Sequence, residues 1–182
     1  MNTELFKRDM EQRYGSDEAI GLFFEMDDDG SILTLEEFNK MSENTPVEAM
    51  PGMQSRLPDG GSGTCCTDYA AYIFKTLPGR VQIWGFANED NPAARISIEE
   101  WHPGGHDFAL VDERFIVDPW PRLVACTMED MVFDLADEKD AMRALELYGP
   151  KTSWKRMNGA ESYAKIQMDV TQEKVAPSKA RP

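Results

Sequence analysis

The chain has 182 residues, which is enough for one domain with its own core and a small additional segment. Its 33 acidic and 19 basic residues give a formal net charge of −14, which disfavours nucleic acid as a partner and favours a basic protein or a cation. An apolar fraction of 41% argues against global disorder, and no apolar run in the sequence reaches membrane-spanning length.

Residues 1–43 are predicted to be mainly helical. The segment "TELFKRDMEQRYG" ends at Gly15, and "SDEAIGLFFEM" begins a second helix with Ser16 as N-cap. Thr34 and Glu37 have the spacing of a capping box and begin a third helix. Residues 44–63 are rich in proline, glycine and polar residues, which predicts a linker or an extended surface loop.

The acidic turn between the second and third helices resembles the calcium loop of an EF-hand. When Gly30 is placed at position 6, the loop "EMDDDGSILTLE" offers oxygen ligands at the alternating positions that calcium requires. The loop departs from the pattern because position 1 is a glutamate, and the sequence contains no second copy. A metal-free acidic turn is the alternative. The candidate calcium ligands are Glu25, Asp27, Asp29, Ser31 and Glu36.

Residues 64–165 combine one long amphipathic helix with several strands. The helix "CTDYAAYIFKTL" has an apolar face and is terminated by Pro78-Gly79. Four strand-like segments follow, "RVQIWGF", "ARISIEEW", "HDFALVD" and "RFIVD", and then helices are predicted from Thr127 and over "DEKDAMRALELYG". This order predicts an α+β fold with a mostly antiparallel sheet, followed by a mobile tail over residues 166–182.

The chain has three cysteines, and two of them are adjacent at the start of this helix. The set of Cys65, Cys66 and Cys126 is too small and odd in number for a disulfide framework, so free thiols are expected. The dipole and the unpaired N–H groups of a helix N-terminus favour a reactive thiolate. Helical phase places Cys66 on the inward face, where it is either a nucleophile or a buried apolar residue, the usual state of a free cysteine.

A nucleophilic cysteine needs a histidine and a group that orients the imidazole. His106 begins one predicted strand, and Asp118 ends the next, just before Pro119. A two-residue loop at Asp112-Glu113 would pair Asp118 with Asp107 and put His106 on the other face of the sheet. A catalytic arrangement therefore requires an odd loop or a bulge, for example three residues that pair 106 with 118.

The ordered segments "GTCCTDYAAYIFKTL", "VQIWGF" and "GHDFALVDERFIVDPW" resemble the core of the transglutaminase-like and papain-like cysteine hydrolase superfamily. The resemblance covers about residues 61–121. It rests on a C-x-D-x-A motif that begins at Cys66, on Gly105-His106 and on Asp118-Pro119. It implies that a nucleophile helix packs on the sheet and that Cys66, His106 and Asp118 form a catalytic triad. The papain-type glutamine is absent, since Gly60 occupies its position.

The resemblance implies acyl transfer at glutamine side chains, peptide bonds or amines, with no cofactor needed for catalysis. Compact bacterial toxin and effector domains of this type are often deamidases or proteases, so we expect a protein glutamine deamidase, with a peptidase or a transglutaminase as alternatives. A non-catalytic acidic module that binds a basic partner, with or without calcium, is the alternative from another class. No secretory signal is found, so synthesis in the cytoplasm is expected, and export without a cleavable signal stays open.

Overall fold

The computed structural model describes residues 2–27, 29–44, 52–96 and 104–165. Within these ranges the chain combines helices with two antiparallel sheets, which confirms the predicted α+β class. The α-helices are α1 Thr3–Tyr14, α2 Asp17–Ile20, α3 Leu35–Asn44, α4 Cys66–Thr76, α5 Trp120–Leu123 and α6 Glu138–Tyr148. A 3-10 helix spans Lys151–Ser153, and residues 158–165 are also helical. No helix in the described ranges has the length and apolarity to cross a membrane.

The larger sheet has five strands in the order β7-β6-β5-β4-β8. Its strands alternate the faces on which their side chains lie, so Ala109 and Val111 of β5 pack with α4 and α1, whereas Phe108 and Leu110 pack with α6. The sheet is therefore the middle layer of three. The strands are β4 Val81–Phe86, β5 His106–Val111, β6 Phe115–Val117, β7 Val132–Asp134 and β8 Lys155–Arg156.

The N-terminal helix α1 belongs to the core of this larger sheet. Phe6 stacks on Phe115 of β6, with ring centroids 4.0 Å apart. Asp134 at the end of β7 accepts hydrogen bonds from Arg114 at 2.5 Å and from the Thr3 hydroxyl at 2.5 Å. The Arg114 guanidinium holds the pKa of Asp134 well below its usual range. This ionised carboxylate therefore ties the first turn of α1 to the far edge of the sheet.

The smaller sheet replaces part of the predicted N-terminal helices. Its order is β2-β1-β3, formed by Ile32–Thr34, Phe23–Met26 and Met53–Arg56. The predicted helix "SDEAIGLFFEM" is correct only as far as Ile20, because Gly21 adopts a left-handed conformation with φ 74° and ends α2 after one turn. Strand β3 lies within the predicted linker and pairs with β1.

Other sequence-based predictions differ from the structure in the second half of the chain. The helix predicted from Thr127 does not form, and residues 125–131 have no helix or strand. Strands β7 and β8 were not predicted. Most of the predicted strand "ARISIEEW" and the whole tail 166–182 lie outside the described residues.

Candidate active site

The nucleophile candidate Cys66 is the first residue of α4, and Cys65 is the N-cap. The carboxylate of Asp68 accepts a hydrogen bond of 2.9 Å from the backbone N–H of Cys65, which fixes the start of the helix. Cys66 is buried, whereas Cys65 is exposed. The backbone N–H of Asp107, at the start of β5, donates to the Sγ of Cys66 at 3.4 Å. The sulfur therefore lies where the helix N-terminus meets the first residues of β5.

The loop between β5 and β6 has three residues, 112–114, because Val111 pairs with Phe115. Asp112 and Glu113 have positive φ angles of 51° and 56°. Asp112 is fixed by Arg80, whose guanidinium donates to its carboxylate at 2.6 Å. The odd loop length brings His106 and Asp118 to the same face, as a catalytic arrangement requires. This register is shifted by two residues relative to a direct pairing of 106 with 118. Asp118, which comes directly after Val117, therefore lies diagonally across from His106.

His106 and Asp118 form a buried pair. The Nε2 of His106 lies 2.6 Å from the Oδ2 of Asp118, and each residue is only 2% exposed. The hydroxyl of Tyr148, at the end of α6, donates to the same Oδ2 at 2.9 Å. The ring of Trp120 covers the imidazole with centroids 5.5 Å apart, and its Nε1 donates to the carbonyl oxygen of Thr64 at 2.9 Å. Asp118 is thus held between two donors and shielded from solvent.

The electrostatics of the pair favour a protonated imidazole. Burial by itself lowers the pKa of His106, but the negative charge of Asp118 and its hydrogen bond outweigh burial, and the Cys66 thiol adds to the rise. The pKa of His106 is raised to about 10. Its Nδ1 is buried without a hydrogen-bond partner among the described residues. Because Nε2 is held by Asp118, Nδ1 is the ring nitrogen left for the thiol, although no hydrogen bond of normal geometry joins the two.

Cys66 and His106 line a cleft of about 410 Å³. The lining also includes an ion pair between Lys155 and Asp90. Gly105 has φ 138°, and a Cβ atom there would collide with the carbonyl oxygen of Phe86. A glycine is therefore required for β5 to begin with His106 in this position. The other lining residues are Cys65, Thr67, Ala87, Gly104, Asp107 and Met157.

The geometry of an EF-hand is not confirmed at the acidic turn. Strand β1 occupies the place of the entering helix, and its Glu25 forms an ion pair of 3.0 Å with Arg56. Asp29 accepts a hydrogen bond of 2.8 Å from the N–H of Ser31, and its hydrogen bonds with Ser31 lower its pKa. Within the described ranges, which leave out Asp28, no three His, Cys, Asp or Glu side chains are grouped so that they could hold a metal ion.

The sequence identifies Cys66, His106 and Asp118 as candidate catalytic residues and includes Asp68 in the C-x-D-x-A motif, without giving Asp68 a structural role. The C-x-x-D spacing from Cys65 to Asp68 is a capping-box pattern that could have identified this role. Helical periodicity predicts that the ring of Tyr148 is buried, but no sequence signal predicts that its hydroxyl reaches Asp118.

The comparisons with known proteins do not assign this chain to a family. No family model matches it, and no match is found among the curated proteins or among the solved structures. A functional conclusion for this chain therefore depends on the chemistry of the cleft.

Proposed function

We propose that this protein is a cysteine-dependent amide hydrolase and that it deamidates glutamine side chains of proteins. One observation carries the proposal: the thiol of Cys66 lies at a helix N-terminus and lines the same cleft as His106, whose Nε2 is held by the buried carboxylate of Asp118. A non-catalytic binding module gains nothing from burying a histidine and a carboxylate next to a free thiol, since burying charged groups costs free energy. This burial supports an enzyme over a binding module.

In the proposed reaction the Cys66 thiolate attacks the carbon of the substrate carboxamide. The imidazolium of His106 transfers its Nδ1 proton to the departing nitrogen, so ammonia leaves and a thioester remains. Neutral His106 then takes a proton from water, the resulting hydroxide attacks the thioester, and the thiol is regenerated with a glutamate product. Asp118 and Tyr148 keep the imidazole oriented throughout. No cofactor takes part in these steps.

The N-terminus of α4 offers donors for the negative oxygen of the tetrahedral intermediate. The N–H groups of Cys66 and Thr67 belong to the first turn, where an α-helix provides no acceptor for them. Such donors stabilise charge that develops in the transition state. They would replace the glutamine side chain of papain-type enzymes, whose position is Gly60 here.

Mass spectrometry of candidate substrate proteins tests the proposal. After incubation with the wild type, a glutamine peptide is expected to gain about one dalton, since –NH2 is replaced by –OH. Peptide cleavage would instead indicate a peptidase, and cross-links or amine adducts a transglutaminase. Cys66→Ala is expected to abolish the change, while the matched variant Cys65→Ala keeps it. Activity that survives in Cys66→Ala would contradict the proposal.

A further inference from the structure

Asp107 places a carboxylate on the wall of the cleft, one residue after His106. Its backbone N–H donates to the Sγ of Cys66, and its Oδ2 accepts a hydrogen bond of 2.6 Å from the hydroxyl of Thr67. A Cβ atom on Gly85 would collide with its Oδ1, so the carboxylate lies directly over this glycine of β4. Thr67 and Gly85 therefore fix the carboxylate in a part-buried position on the cleft wall, on the residue whose backbone N–H contacts the sulfur.

No ion pair neutralises the charge of Asp107 within the described part of the cleft. Asp90, the other carboxylate of the lining, is paired with Lys155, and His106 is paired with Asp118. None of the described Lys, Arg or His residues forms an ion pair with Asp107. A ligand that enters the cleft thus meets one fixed, unneutralised carboxylate next to the nucleophile.

We propose that Asp107 is a specificity-determining residue that accepts a hydrogen bond from the –NH2 group of the scissile carboxamide. A primary amide has two N–H donors on the leaving nitrogen, so one can bind Asp107 while the nitrogen lone pair receives the proton of His106. A secondary amide, such as a peptide bond, has one N–H and a chain in place of the other. This inference rests on the proposed glutamine deamidation and names its substrate class: primary carboxamides.

The carboxylate of Asp107 also weakens binding of the product in the cleft. Hydrolysis converts the neutral carboxamide into a glutamate carboxylate, and two carboxylates at short distance repel each other strongly where water is partly excluded. Asp107 therefore favours binding of the neutral substrate and release of the anionic product.

Two small alkylating reagents test this role without any protein substrate. Iodoacetamide is a neutral primary amide and iodoacetate is an anion of similar size, and with both the Cys66 sulfur displaces iodide and forms a thioether. Rate constants are measured in a Cys65→Ser background, and Cys126, an exposed thiol, serves as the internal reference. The quantity of interest is the ratio of the iodoacetate rate to the iodoacetamide rate at Cys66.

Asp107→Asn keeps an acceptor oxygen but removes the negative charge that repels iodoacetate. It is therefore expected to raise this ratio about tenfold, the effect of removing one like charge at short distance from a partly hydrated site. Asp112→Asn removes the same charge at the other end of β5, at a positive φ that asparagine tolerates, and is expected to leave the ratio unchanged. Asp107→Glu keeps the charge and is expected to keep a low ratio. A general loss of folding would slow or accelerate both reagents together, whereas the proposal requires a change in their ratio.

An unchanged ratio in Asp107→Asn, or an equal change in Asp112→Asn, would overturn the role of Asp107. These outcomes do not depend on deamidase activity, which is measured separately by release of ammonia from glutamine peptides. Failure of the alkylation test with intact ammonia release removes only the inference about Asp107. Absence of ammonia release removes the proposed function even where the ratio changes as expected.

Discussion

At the level of single residues, the oxygen Oδ2 of Asp118 is held by two buried hydrogen-bond partners. It accepts from His106 on one side and from Tyr148 on the other, and burial raises the pKa of Tyr148 well above its usual range, so its hydroxyl stays a donor. A carboxylate that loses one of two buried donors keeps its charge but loses part of its compensation. Its remaining partner then holds it in a less defined orientation.

Tyr148→Phe tests this constraint. We expect the variant to lower the free energy of unfolding by about 1.5–3 kcal/mol, the cost of removing a hydrogen bond to a charged group. We also expect a fall in kcat with little change in KM, because the imidazole is no longer fixed. Chemical denaturation and kinetics measure both effects, with the exposed Tyr163→Phe as control. Equal behaviour of the two variants would contradict the role of the hydroxyl.

The pH dependence of stability tests the charge state of His106. Its pKa is raised in the folded protein to about 10, above the ordinary value of 6.5. The stabilisation is therefore fully present below pH about 6.5 and is lost as the pH rises through the folded pKa. Asp118→Asn removes the charge that raises the pKa of His106, so burial then favours the neutral imidazole. The variant is therefore expected not to lose this stabilisation as the pH rises. Denaturation of both proteins between pH 6 and 10 measures the difference, and parallel pH profiles would contradict the assignment.

The residues of the site differ in how far the sequence predicts them. The sequence predicts Cys66 and His106, because their residue types and their positions at the start of an element carry the signal. It does not predict Tyr148, because the hydroxyl of Tyr148 reaches Asp118 from α6 through tertiary packing alone. The sequence likewise does not predict a role for Asp107, since only the structure shows that Thr67 and Gly85 fix its carboxylate.

At the level of elements, the N-terminus of α4 determines where the sulfur lies. Asp68 fixes it through the N–H of Cys65. We expect Asp68→Ala to lower the free energy of unfolding by about 1 kcal/mol, as for other capping residues, and to slow alkylation of Cys66. Asp68→Asn keeps an acceptor oxygen and is expected to retain most of the stability and most of the alkylation rate. Denaturation and iodoacetamide kinetics measure the two effects. A wild-type alkylation rate in Asp68→Ala would show that the cap does not determine the reactivity of the thiol.

Sequence patterns predicted the longer elements and failed for the shorter ones. Helices α4 and α6 have clear start and stop signals, and β4, β5 and β6 have bounded apolar runs. The segment "LFFEM" of β1 is apolar without a diagnostic period, so the sequence does not distinguish strand from helix there. Only its pairing with β2 and β3 makes it a strand. Strands β7 and β8 have three and two residues, too few for any period to appear.

At the level of the whole molecule, α1 and the nucleophile helix share one core. Phe6 and Met10 of α1 belong to the same buried cluster as Tyr69 and Cys66 of α4. The cluster continues through β5 and β6, which carry His106 and lead to Asp118. The N-terminal helix thus supports the site through the core that it shares with α4 and the sheet.

Phe6→Ala tests whether the core links α1 to the site. Phe6 is 5% exposed and stacks on Phe115, so its truncation is expected to cost about 3–5 kcal/mol, as for other buried phenylalanines. The neighbouring Leu5→Ala, at a position 61% exposed, is expected to change stability by less than about 0.5 kcal/mol. Where Phe6→Ala remains folded, the cleft is intact and Cys66 is expected to react with iodoacetamide at the wild-type rate. In mild denaturant the reaction rate of Cys66 should change in Phe6→Ala but not in Leu5→Ala, because unfolding of α1 disrupts the buried cluster that holds α4 against β5. If α1 unfolded at one denaturant concentration and Cys66 became more reactive towards iodoacetamide at another, α1 and α4 would belong to separate cooperative units. In that case α1 would not support the site.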